Sequence, residues 1–222
     1  MPQLNFQIDD AAPAPLSLTP GVVLQLRVRS PEQTIHSIAL RCQIQIETPK
    51  RRYSSEEQER LLDLYGEPSR WSQTLRSLLW THVSTIVPAF TTETVVDLFL
   101  PCSFDFNLAA TKYFAALKNG DVPLCLLFSG TIFYEGDGGR LQVEQIPWNQ
   151  ETSYRMPVAV WQEMMSAHYQ NQNWLLLRSD VFERLYHYKR HYAIPTWEQT
   201  FESLLSSART AEEVIVAAGE GM

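Results

Sequence analysis

Apolar and polar residues alternate along most of the first two-thirds of this chain. Leu4-Asn5-Phe6-Gln7-Ile8 is a short alternating run, and Val22–Val28 sets Leu24, Leu26 and Val28 against Gln25, Arg27 and Arg29. Ile35–Glu47 extends the pattern, with Ile38, Leu40, Cys42, Ile44 and Ile46 on one side and Arg41, Gln43, Gln45 and Glu47 on the other. A period of two predicts strands with one buried and one wet face, as in antiparallel sheets. Further strands are predicted over 80–87, 94–100 (with Phe104–Leu108 following), 123–134 and 141–146. Glu135-Gly136-Asp137-Gly138-Gly139 predicts a hairpin, because glycine takes positive φ at little cost. Asp9–Pro20 carries Pro13, Pro15 and Pro20 and reads as a stiff connector.

The period changes twice. Ser54-Ser55-Glu56-Glu57 has the form of a capping box, in which serine and glutamate side chains satisfy free amides at a helix start. Leu61, Leu62 and Tyr65 follow at helical spacing, Gly66 and Pro68 close that helix, and Trp71, Leu75, Leu78 and Leu79 repeat the spacing. Beyond Pro147 the chain reads as helical. Pro157 opens a helix with Val158, Trp161, Met165 and His168 on one stripe, and Asn171-Gln172-Asn173 breaks it. Ser179 caps a second helix with Val181, Leu185, Tyr188 and Tyr192, and Thr196 with Gln199 caps a third with Trp197, Phe201, Leu204 and Leu205. The expected fold is α+β: an antiparallel β-sheet of about six to eight strands followed by a helical C-terminal lobe. The expected division is a β-rich domain over 1–147 with a helical insertion near 54–79, a helical lobe over 148–208 packed on it, and a flexible tail over 209–222.

Composition narrows the function. The chain has 222 residues, is 45% hydrophobic and 19% charged, and so can bury a sizeable core. A net charge of −7 argues against nucleic acid or anionic membrane as the main partner. The one basic cluster, Lys50-Arg51-Arg52, is followed by Glu56, Glu57 and Glu59 and reads as a solvated loop. Cys42, Cys102 and Cys125 are widely spaced in apolar runs and read as buried thiols of a cytoplasmic protein. The N-terminal residues do not form a signal peptide, and no apolar run approaches the roughly 20 residues of a membrane span.

Candidate chemistry is sparse. Glu183, His187 and His191 share one face of a predicted helix and are the candidate metal ligands, but there is no HExxH and no nearby cysteine, so a solvated flank is the expected reading. No GxSxG elbow or catalytic-looking Cys/His arrangement is present. The glycines at 136–139 lie between two strands, whereas a phosphate cradle precedes a helix. These features lean away from an enzyme, and no cofactor is expected. The densest feature is the stretch Pro147–Trp197, which holds four of the six tryptophans. Such a stretch either fills a core or presents a specific surface. Its candidate partner-binding residues are Trp148, Trp161, Met164, His168 and Trp174, with Trp148 and Trp174 in connecting turns and so freest to face a partner.

Several segments from Trp80 onward resemble a bacterial family of unknown function associated with gene clusters of high-affinity nickel–iron hydrogenases. They are Leu79-Trp80-Thr81-His82-Val83, Asp105-Phe106-Asn107, Lys112-Tyr113-Phe114, Pro123-Leu124, Leu127-Phe128-Ser129-Gly130-Thr131, Ile146-Pro147-Trp148, Pro157 with Trp161, Tyr186-His187-Tyr188-Lys189 and Pro195-Thr196-Trp197-Glu198. The resemblance implies an accessory or maturation role beside a metalloenzyme and transfers no functional residue. The order of sheet then helices also resembles the export chaperone SecB in topology alone. The function expected is therefore a non-enzymatic protein-binding or chaperone-like accessory factor, with a hydrogenase subunit as partner. The alternative is a small-ligand-binding protein or enzyme with a pocket between sheet and helices, and a homo-oligomer stays open.

Overall fold

The computed structural model describes residues 2–15, 17–103, 105, 108–169 and 175–219. The chain divides into two compact units, Met1–Trp174 and Leu175–Met222. The first unit holds eight strands: β1 (Asn5–Pro13), β2 (Gly21–Arg29), β3 (Ile35–Ile46), β4 (Leu78–Val87), β5 (Glu93–Pro101), β6 (Asp121–Glu135), β7 (Leu141–Gln145) and β8 (Glu151–Pro157). They form two antiparallel sheets. One has the order β1-β2-β5; the other has β4-β3-β6-β7, with β8 also paired to β6. The α+β class and the antiparallel strands agree with the alternation in the sequence.

The inward positions are those the alternation selects. Val22, Leu24, Leu26 and Val28 of β2 and Ile38, Cys42, Ile44 and Ile46 of β3 are buried. Their partners on β6 (Leu124, Leu126, Phe128 and Ile132) and on β1 (Phe6 and Ile8) close the core. Phe6 and Phe128 stack across the two sheets with ring centroids 4.3 Å apart. Each fully buried side chain of this kind is worth about 1.5–3 kcal/mol, so the sandwich is held mainly by its facing sheets.

Short helices close the ends of the sandwich. The capping box forms as predicted: Ser54 N donates to Glu57 Oε2 at 3.1 Å and Glu57 N donates to Ser54 Oγ at 3.2 Å, starting α1 (Ser55–Arg60). The chain continues through α2 (Leu62–Tyr65) and α3 (Trp71–Thr74). Leu78 and Leu79, assigned to the helical stripe from sequence, instead open β4. A further helix, α4 (Ala109–Ala116), was not visible in the pattern; its N-cap is Leu108, which offers no side-chain acceptor to mark a start. Helix α5 (Val158–His168) follows Pro157, as expected, and packs against β1 and β2.

Several boundaries differ from the sequence reading. The segment read as a stiff connector is strand as far as Pro13, with a bulge between Ile8 and Asp10 that lets β1 keep pairing with β2. Glu151–Pro157, assigned to the helical lobe, is β8: Thr152, Tyr154 and Met156 face one side, and Glu151, Ser153 and Arg155 the other. The division falls at 174/175 rather than 147/148, because β8 and α5 belong to the sandwich. The helical breaker at Asn171-Gln172-Asn173 and residues Phe104, Phe106 and Asn107 lie outside the described residues.

Arg51 corrects the expectation of a solvated basic loop. Its side chain is 7% exposed and paired with Glu57, which is 4% exposed. The guanidinium donates to both Glu57 carboxylate oxygens at 2.9 and 3.2 Å and to the carbonyls of Asn119 and Asp121. Glu57 also accepts from Lys118 N at 3.0 Å. The start of α1 is thereby tied to the turn before β6.

The second unit is a helical hairpin, α6 (Ser179–His191) and α7 (Trp197–Gly219). Ser179 is the first helical residue of α6 and not its cap; Arg178 takes the cap position without a side-chain bond. Ala193 at φ 51° ends α6, and Lys189 Nζ donates to the carbonyls of Ile194 and Pro195. Gln199 N donates to Thr196 Oγ1 at 3.2 Å, half of the predicted capping box. Tyr188 Oη and Ser203 Oγ, 3.1 Å apart, join the two helices. Helix α7 runs on through most of the segment read as a tail.

Candidate interaction surface

Strands β7 and β8 occupy the two halves of one edge of β6. β7 pairs with Thr131–Glu135 and β8 with Asp121–Leu127. Between them the chain leaves the ladder for a turn over 146–150. Ile146 N donates to Gly130 O at 2.9 Å on one side of the turn, and Phe128 N donates to Gln150 O at 2.9 Å on the other. Gln150 N closes the turn on Pro147 O at 3.2 Å. Trp148 stands at its tip, 93% exposed. The largest side chain of the chain's vocabulary is thus held in water by a turn fixed at both ends.

The turn borders the outer face of the five-stranded sheet. Ladder rows across that face are set by register: Ile86–Ala39–Thr131–Gln145, Ser84–Arg41–Ser129, and His82–Gln43–Leu127–Glu151. Small residues in the middle leave a shallow trough of about 520 Å³, lined by Ala39, Arg41, Ser84, Ile86, Ser129 and Gly130 among others. Gly130 is required there, since a Cβ would lie 2.0 Å from Ala39 O and its φ is +140°. Ile86 lines the trough and is exposed, and Leu79, Leu141 and Val143 are exposed elsewhere on the same sheet face. Arg41 has no ion-pair partner among the described residues. The face therefore combines apolar rims, a floor of small side chains and an unpaired cation.

The residues selected from sequence do not converge on one surface. Trp161 is 4% exposed and Met164 is fully buried. Trp161 stacks on Phe114 at 4.3 Å and meets Trp80 edge-on at 6.5 Å, so it anchors α5 to α4 and β4 and presents no free ring. Met156 and Met165 are buried with it. His168 has both ring nitrogens occupied, facing Met164 O at 2.9 Å and Ser17 O at 3.1 Å, and ties the end of α5 to the β1–β2 connection. Trp174 lies outside the described residues. The exposed apolar residues of β4 and β7 were missed because strand alternation was read for what it buries. Leu79, Ile86, Leu141 and Val143 sit in the opposite phase, where polar side chains are expected.

Other candidate chemistry stays dispersed. His187 and His191 are stacked one turn apart on α6, ring centroids 6.2 Å from each other, and with Glu183 they are exposed. No group of three His, Cys, Asp or Glu side chains capable of holding a metal occurs among the described residues. Burial pushes the thiols of Cys42 and Cys102 up to about 12. Cys125 is only half-buried, on the outer face, and is raised by burial and by the neighbouring Glu151 carboxylate. Burial likewise lifts the Tyr113 hydroxyl to about 12, where it meets Tyr53 Oη at 2.9 Å. These groups are poorly suited to act as nucleophiles near neutral pH.

Among the described residues no helix is long and apolar enough to cross a membrane. No curated protein matches the chain. Residues 1–213, nearly the whole length, match the model of DUF6084, a family of unknown function, and the chain belongs to that family.

Proposed function

We propose that this chain is a non-enzymatic, protein-binding accessory factor that holds a partner segment against the outer face of its five-stranded sheet. The observation that carries the proposal is Trp148, exposed on a turn pinned to β6 and beside a trough with apolar rims. An exposed tryptophan costs water-contacting apolar area unless something covers it, and tryptophan and arginine dominate binding energy at protein interfaces. The matching partner offers an apolar side chain to Trp148 and Ile86 and a carboxylate to Arg41. The gene neighbourhood implied by the resemblance makes a nickel–iron hydrogenase subunit the first partner to test. The test is a direct titration of the purified chain with purified hydrogenase subunits, repeated with Trp148→Ala and Arg41→Glu. Binding that weakens at least tenfold, about 1.4 kcal/mol, in both variants supports the proposal. Unchanged affinity in both variants sinks it.

A second reading is supported by a different place in the sandwich. A groove of about 580 Å³ runs between α4 and α5, with Phe114 and Trp161 on its floor and Thr111, Lys118 and Gln162 on its walls. A small apolar ligand that packs against the edges of the stacked Phe114–Trp161 pair and bonds to Thr111 or Gln162 fits this lining. Saturable quenching of tryptophan fluorescence by an aromatic acid, lost in Trp161→Leu, distinguishes it from the first reading.

A further inference from the structure

Among its described residues, the helical hairpin buries almost nothing. Helix α6 buries no residue, and the one fully buried side chain described in this unit is that of Thr200. So few buried apolar side chains among the described residues offset little of the entropy of ordering two helices. Their apolar side chains are nonetheless gathered into a continuous face. Phe182 lies 6.2 Å from Tyr186 and 5.4 Å from Trp197, and Trp197 lies 6.3 Å from both Tyr186 and Phe201. Leu205 extends this face along α7, and Leu175, Leu176 and Tyr192 of the same unit are exposed as well, so the unit presents several large apolar side chains of the kind that anchor protein interfaces.

Charge selects the occupant. The last turn of α6 carries Arg190 and His191, Lys189 being already bonded to the carbonyls of Ile194 and Pro195, while the first turns of α7 carry Glu198 and Glu202. A partner must meet a basic and an acidic helix end at once, side by side. The same hairpin, related by a two-fold axis along the hairpin and with turn ends together, does so: α6 of one copy lies beside α7 of the other. We infer that the hairpin of this chain pairs with that of a second copy to form a four-helix bundle, with Phe182, Tyr186, Trp197 and Phe201 of both copies at its centre. The inference rests on the hairpin's own residues and does not depend on the function proposed for the Trp148 face.

The test uses the full chain. Sedimentation of the wild-type protein up to about 100 µM is expected to give twice the single-chain mass, that is, twice 25.5 kDa. The Phe182→Glu/Tyr186→Glu double variant is expected to return to the single-chain mass with unchanged near-ultraviolet circular dichroism from the sandwich. A wild-type protein of single-chain mass overturns the inference, and so does a double variant that remains dimeric. Because the variant also perturbs the helices, hydrogen exchange of the wild-type protein is measured as a function of concentration. Protection of 179–209 that rises with concentration supports the bundle, since association then supplies the stability of the hairpin. Protection independent of concentration places the cover of that face within one chain and overturns it.

Discussion

Replacing Arg51 with methionine is expected to destabilise the sandwich by about 3–5 kcal/mol, the cost of stranding one charge of a buried pair. Both side chains are nearly inaccessible, at 7% and 4%. Arg51 also donates to two backbone carbonyls in the turn before β6. Methionine fills the aliphatic space but donates nothing, so Glu57 keeps its charge without a counter-ion. For a unit of this size the melting temperature falls by roughly 6–20 °C. Acid provides a second readout. Burial alone raises the Glu57 carboxyl, but Arg51 and the amides of Lys118 and Ser54 more than offset it and hold the group below the usual carboxylate range. Such a group stabilises the fold above its unfolded pKa of about 4.3, and that contribution is lost as pH falls through the lower folded value. In Arg51→Met the sign reverses: burial dominates, the carboxyl rises, and part of the lost stability returns on acidification as Glu57 takes up a proton. The companion Arg51→Met/Glu57→Gln removes the stranded charge and is expected to be more stable than Arg51→Met alone. Urea denaturation near neutral pH and again near pH 4 measures all three. An Arg51→Met variant within about 1 kcal/mol of wild type, or a double variant less stable than the single one, would refute the reasoning.

Other expectations follow from the same packing. Gly130→Ala sets a Cβ 2.0 Å from Ala39 O at a φ of +140°, so it should cost more than about 3 kcal/mol or prevent soluble expression, which a thermal melt or yield comparison checks. Trp161→Ala should cost about 3–5 kcal/mol, whereas Trp148→Ala should stay within about 0.5 kcal/mol, and paired denaturant curves separate the two. Trp148, the most exposed of the described tryptophans, should also be quenched by iodide, and a smaller iodide-quenchable fraction in Trp148→Ala is the check. Of the three thiols, half-buried Cys125 should react first with a disulfide reagent in the native protein, slowly, and faster as pH rises toward its raised pKa, ahead of Cys102, which is also half-buried but whose thiol is pushed up to about 12. Rapid reaction of Cys42 would contradict its burial.

Much of the sandwich was legible because alternation is a local property. β2, β3, β5 and the core of β6 follow from residues two apart, and the capping box at Ser54 and Glu57 follows from residues three apart. β8 carries the same alternation in Thr152, Tyr154 and Met156, but its polar residues and its place among tryptophans hid it. α4 offered no cap. The candidate surface was half legible: Trp148 was singled out by its place in a connecting turn, while Ile86 and Val143 were not, since a strand pattern does not say which sheet face another layer covers.

The sequence by itself determined which residues turn inward, where the first helix begins, and that the chain builds antiparallel strands before helices. Backbone geometry and side-chain polarity set these over a few residues. Only the tertiary structure decided that Arg51 of a basic loop is buried against Glu57, that Trp161 is core while Trp148 is not, and that Gly130 lies against Ala39. Each of these depends on which strands become neighbours, and that pairing joins residues as far apart along the chain as Ile35 and Tyr134. Burial and charge pairing are properties of that assembled neighbourhood, so no local pattern encodes them.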